Sequence, residues 1–126
     1  MKKWMLPLGV LAAVAALAVW NGAAMSRLTE ALCQSLSQCE ALGCSEDWDG
    51  AAAALKECYQ DWTRRQTYLH IVLEHDAVDG AEAMFRRAEA FAETEELSEF
   101  RAELADLTSQ LRLLAEMERL SIKNIL

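Results

Sequence analysis

After Met1-Lys2-Lys3 the chain carries no charged side chain until Arg27. Trp4 to Met25 is a run of 22 residues broken only by Pro7, Gly9, Asn21 and Gly22. A helix needs about 20 apolar residues to cross about 30 Å of hydrocarbon. Trp4 and Trp20 bracket the strictly apolar core, where indole rings favour the polar boundary. Pro7 falls in the first turn, where a missing N–H costs little. The pattern predicts a transmembrane anchor over residues 4–25. Residues 1–3 form a cytoplasmic stub held back by Lys2 and Lys3, and 26–126 an extracytoplasmic domain. Gly22-Ala23-Ala24 offers small residues for a signal-peptide cut after Ala24. Against cleavage, the alanine-rich stretch Leu11 to Ala18 runs in helical phase into Met25, Leu28, Leu32 and Leu36, so an uncleaved signal anchor is the favoured reading.

Beyond the anchor the apolar positions recur in steps of three and four. Helix one reads Met25, Leu28, Leu32, Leu36, Cys39 and Leu42, and Gly43-Cys44-Ser45 stops it, with Gly43 able to take a left-handed cap. Helix two reads Trp48, Ala52, Leu55, Tyr59, Trp62, Gln66, Leu69 and Leu73, a heptad seam of about 45 Å with one polar member. Asp76 to Gly80 is read as a break, and Asp79-Gly80-Ala81-Glu82 has the capping-box spacing that restarts a helix. Helix three presents Ala81, Met84, Phe85, Ala88, Phe91 and Ala92. The phase slips at 93–96, and helix four reads Leu97, Phe100, Leu104, Leu107, Leu111, Leu114 and Met117. The closing Leu120-Ser121-Ile122-Lys123-Asn124-Ile125-Leu126 is apolar enough to dock. Helices with one apolar stripe are not stable alone, and short connections make consecutive ones antiparallel. The fold class is therefore all-α: an N-terminal transmembrane helix followed by a small antiparallel bundle of three to four helices. Whether the seams also serve self-association is left open by the period.

Composition narrows the function. About 100 residues follow the anchor, enough for one small domain. With Lys2 and Lys3 set aside, 10 basic residues face 20 acidic ones. That balance argues against nucleic acid and against adhesion to anionic lipid, which need clustered Lys and Arg.

The stretch Trp62-Thr63-Arg64-Arg65-Gln66-Thr67-Tyr68-Leu69-His70-Ile71-Val72-Leu73-Glu74-His75-Asp76 and the closing Leu120 to Leu126 resemble a family of uncharacterised proteins from clostridia and related Firmicutes, the domain of unknown function DUF4363. The resemblance takes in nearly the whole chain, Met1-Lys2-Lys3-Trp4 included. It implies a short, single-anchored helical protein with no assigned activity. It also implies an integral membrane partner, since such proteins are encoded beside a membrane-protein family of equally unknown role. The four cysteines are not part of the family's pattern.

Candidate chemistry is sparse. Arg64, Arg65, Tyr68 and His70, with His75, form the most basic and aromatic patch of an acidic domain, suited to an acidic partner segment or an anionic ligand. The competing reading pairs these side chains with Asp61 and Glu57 at helical spacing. His70 and His75 are five residues apart, about 140° around a helix, so they do not chelate one ion without a break. Glu74, four residues after His70, completes at most a weak metal site for a ligand- or metal-sensing domain. Cys33, Cys39, Cys44 and Cys58 lack the Cys-x-x-Cys spacing of zinc sites. Cys33 and Cys58 lie 12 and 13 residues either side of residue 45, which allows an inter-helix disulfide in an exported domain. Buried free thiols are the alternative. There is no nucleophile elbow, glycine-rich phosphate loop or supported triad order. No enzyme activity and no cofactor are expected. The expected role is that of an accessory or protein-interaction module.

Overall fold

The computed structural model describes the backbone of residues 2–64 and 75–125; within these, the side chains at 2, 18, 21, 22, 24, 25, 75, 118, 119 and 121–125 lie outside the description. Four helices and no strand occur among the described residues: α1 (Lys2–Cys44), α2 (Trp48–Arg64), α3 (His75–Glu93) and α4 (Leu97–Ile125). Each helix packs on the next, and α4 closes the ring against α1. The result is an up-down-up-down bundle.

The core takes Leu32, Cys33, Leu36 and Cys39 from α1, and Ala51, Leu55, Cys58 and Trp62 from α2. From α3 it takes Val78, Ala81, Phe85, Ala88 and Ala92, and from α4 Phe100, Leu104, Leu107, Leu111 and Leu114. The stripes on α1 and α4 match the sequence periods. On α2 the buried line runs through Ala51 and Cys58 as well, so Trp48, Ala52 and Tyr59 flank the core rather than fill it. Tyr59, Trp62 and Phe85 make an aromatic cluster with ring centroids 5.4–6.3 Å apart. Burying each such ring contributes about 1.5–3 kcal/mol. The Trp62 indole N–H is buried with no hydrogen-bond partner among the described residues.

The two corners at one end of the bundle share one geometry. After α1, Asp47 N–H donates to Leu42 O at 2.9 Å and Glu46 N–H to Gly43 O at 3.0 Å; after α3, Glu96 N–H donates to Phe91 O at 3.0 Å and Glu95 N–H to Ala92 O at 3.3 Å. Both are Schellman closures, and the left-handed residues are Glu46 (φ 63°) and Glu95 (φ 55°). Gly43 is therefore not the cap that the sequence suggested. It sits inside the helix, where a Cβ would come 3.1 Å from the Phe100 ring. Asp47 then caps α2 by accepting from Gly50 N–H at 3.0 Å. The phase slip at 93–96 is the second corner.

The expected break at Asp76–Gly80 is also corrected: those residues are helical from His75 onward. Gly80 faces Gln110, whose Nε2 would lie 3.6 Å from a Cβ there and donates to Ala77 O at 3.0 Å. The glycine admits a neighbouring helix rather than ending its own. Glu82, read as half of a capping box, instead accepts from Tyr59 Oη at 3.1 Å and Arg86 Nη2 at 2.9 Å. Residues 65–74, which take in the rest of the expected long helix two, lie outside the described residues.

Only part of α1 belongs to the bundle. Its 43 residues span about 65 Å, and core contacts begin at Leu28. The rest is an arm whose large apolar side chains are exposed on all sides, from Trp4 (76 %) through Leu8, Leu11, Leu17 and Val19 to Trp20 (70 %). Among the described residues no helix is long and apolar enough to cross a membrane. The structure thus shows an exposed apolar arm where the sequence suggested a membrane span.

Candidate functional site

A surface cleft lies at the foot of the bundle, the end from which the arm projects. It holds about 260 Å³ between α1 and α2, lined by Leu28, Ala31, Leu32 and Ser35 on one side and Asp61 and Arg64 on the other. Small side chains at Ala31 and Ser35, four residues apart on one face of α1, leave the space open. Ser35 and Asp61 also line an adjoining polar cleft of about 130 Å³ with Gln38, Ala54, Glu57 and Cys58. Both clefts follow the α1–α2 seam.

Arg64 is the one residue of the expected basic patch whose side chain is described. Its Nη1 lies 3.5 Å from Asp61 Oδ1, with both side chains substantially exposed. An exposed ion pair of this kind is worth well under 1 kcal/mol, so Arg64 is cheaply released to an acidic group entering the cleft. Arg65, Tyr68, His70 and Glu74 lie outside the described residues, and so does the side chain of His75. By backbone, His75 is the first described residue of α3. Among the described residues no group of three or more His, Cys, Asp or Glu is placed to hold a metal ion.

All four cysteines are free. Cys33, Cys39 and Cys58 are buried and Cys44 is exposed at the far end. Burial is the main cause raising all three buried thiols, pushing Cys39 up to about 11 and Cys58 up to about 12. Cys33 is raised too, with Arg112 opposing the shift. The Cys58 thiol points at Leu32 O, 3.8 Å away. Of the two readings left open by the sequence, the thiols here are free and pack as small apolar side chains, without a Cys33–Cys58 bridge.

The foot offers a shallow, polar-edged groove with a releasable guanidinium, a carboxylate and a hydroxyl. That chemistry suits recognition. From sequence, Asp61 entered only as a partner for Arg64, and Ser35 was missed; the i, i+4 pair of small residues at Ala31 and Ser35 is the signal that marks the groove.

An up-down helical bundle carrying a long apolar helical arm is thus the class of protein defined by fold and site. The chain belongs to the family described as Domain of unknown function (DUF4363), whose model matches residues 19–125. That match covers the bundle and begins at Val19, so it leaves out the first part of the arm that the sequence resemblance had included. No curated protein and no solved structure matches the chain.

Proposed function

We propose that this chain is a single-pass membrane protein whose exported helical bundle serves as a non-enzymatic accessory module. Lys2 and Lys3 stay on the cytoplasmic side, the helix over residues 4–25 is an uncleaved anchor, and the bundle stands outside on α1. The observation that carries the reading is the arm itself. Its large apolar side chains from Trp4 to Trp20 are exposed all round a helix continuous with the one that feeds Leu32, Leu36 and Cys39 into the core. A helix apolar on every face needs an apolar surround. In the full sequence Trp4 to Met25 is uncharged over 22 residues, long enough to cross.

The interaction surface is the groove at the foot, where Arg64 receives an acidic segment of an integral membrane partner; Arg65, Tyr68, His70 and His75, which follow it in sequence, are proposed to serve the same contact. Alkaline carbonate extraction and surface proteolysis test the placement together. The reading expects the chain to stay in the membrane pellet, with the bundle cleaved by protease added outside intact cells. Release into the supernatant, or a bundle protected from external protease, would contradict it. For the partner, a photo-crosslinker at Arg64 is expected to trap one integral membrane protein, and one at Lys56, on the outer face of α2, to trap none. Equal trapping at both positions would remove the groove from the account.

A further inference from the structure

We propose that the end of α4 makes a second contact with the lipid bilayer, lying in the headgroup layer beside the arm. The inference rests on the anchor reading above and adds a surface to it.

Register is the first observation. α4 runs antiparallel to α1: Arg101 Nε donates to Glu40 Oε1 at 3.0 Å, and the Phe100 ring covers Gly43. At the foot Leu111 and Leu114 line one small crevice with Leu28 and Leu32. These pairs put each α4 residue level with the α1 residue whose number completes a sum near 142. Ile125, the last described residue of α4, then lies level with about residue 17 of the arm, and Leu120 with about residue 22. The described parts of α2 and α3 reach the foot at Arg64 and His75. α1 and α4 continue past it. From Leu114 to Ile125 the overhang of α4 is about 16 Å at 1.5 Å per residue.

Trp20 marks where the anchor meets the polar layer, so the last turns of α4 fall at the depth of the headgroups and the edge of the hydrocarbon. Their chemistry fits that depth. Leu113 and Leu120, seven residues apart and so on one face, are exposed at 51 % and 52 % while Leu111 and Leu114 on the opposite side fill the core. The sequence continues with Ile122 and Ile125 around Lys123, a mixture that suits the membrane interface. Apolar surface left in water on the outer face of α4 is unfavourable. Lipid at this level covers it without any further protein.

Site-directed spin labels on the full chain in vesicles of phosphatidylcholine and phosphatidylglycerol (three to one) test this. Leu113→Cys, Leu120→Cys, Ala105→Cys and Val14→Cys are made separately with exposed Cys44→Ser, and collisions with oxygen and with a water-soluble nickel chelate are compared. The proposal expects the oxygen-to-nickel ratio at 120 to exceed that at 105 several-fold, with 113 between them and 14 deepest. A label at 120 as aqueous as that at 105, while 14 is in lipid, overturns the contact and leaves the anchor standing. A label at 120 shielded from both reagents means protein covers the strip, a second copy or a partner, and overturns it too. An aqueous label at 14 instead overturns the anchor reading.

Discussion

The Phe100 ring occupies the space that a side chain on Gly43 would need. A Cβ there would come 3.1 Å from Cε1 and 3.2 Å from Cδ1 of a ring that is fully buried and packed edge-on against Trp48, with centroids 5.5 Å apart. Held on both sides, Phe100 has little room to yield. Gly43→Ala gains about 1 kcal/mol of helix propensity but overpacks the corner by about 1–3 kcal/mol. The expected outcome in urea unfolding is a net loss of about 1 kcal/mol, and a stabilised variant would show that Phe100 moves aside.

Glu46 and Glu95 hold the left-handed position at the two corners, where a side chain costs about 1–2 kcal/mol and glycine does not. Part of that gain is offset by the greater freedom of glycine in the unfolded chain. Glu46→Gly and Glu95→Gly are each expected to stabilise the bundle by about 0.5–1 kcal/mol, additively, since they sit on separate corners. Thermal or denaturant midpoints of the single and double variants check this.

The thiols predict both reactivity and a pH dependence. Only exposed Cys44 should react rapidly with a maleimide at pH 8, and the other three only when the bundle opens. Cys39 and Cys58 ordinarily titrate near 9.0 and are held at about 11 and about 12 in the fold. Between those values the unfolded chain has lost protons that the folded chain keeps. Stability is therefore full below about pH 9 and falls as pH rises above it, by about 1 kcal/mol per unit for each thiol. Cys39→Ala with Cys58→Ala should flatten the alkaline slope despite lower overall stability. An unchanged slope would mean that other groups set it.

Arg87 Nε donates to Glu103 Oε1 at 2.7 Å across α3 and α4, and the Glu103 side chain is only 11 % exposed. Losing the guanidinium strands a nearly buried carboxylate, so Arg87→Ala is expected to cost about 1.5–3 kcal/mol. The exposed Arg64–Asp61 pair should cost far less when broken by Arg64→Ala. Comparable losses at both positions would contradict the difference in burial.

The apolar stripes were legible because burial imposes a period of three and four, and the lines through Leu32, Leu36 and Cys39 or Leu104, Leu107 and Leu111 keep it. The two glycine readings failed for one reason. Gly43 and Gly80 resemble breakers in one dimension, yet each is small because another helix, bearing Phe100 or Gln110, passes close by. The left-handed turn fell to Glu46, which nothing local marks as a cap. Cys58 and Ala51 were hidden as core because an aromatic neighbour, Tyr59 or Trp48, drew the seam one residue aside. The groove at the foot depends on which face of α1 meets α2, a tertiary fact; its one described basic member, Arg64, was legible.

The most direct test of membrane anchoring is the intact mass of the chain recovered from alkaline-washed membranes. An uncleaved anchor predicts a mass that includes Met1 to Ala24, or lacks only Met1, in the pellet. A mass that begins at Met25, with the bundle in the soluble fraction, would make the arm a cleaved signal and contradict the account.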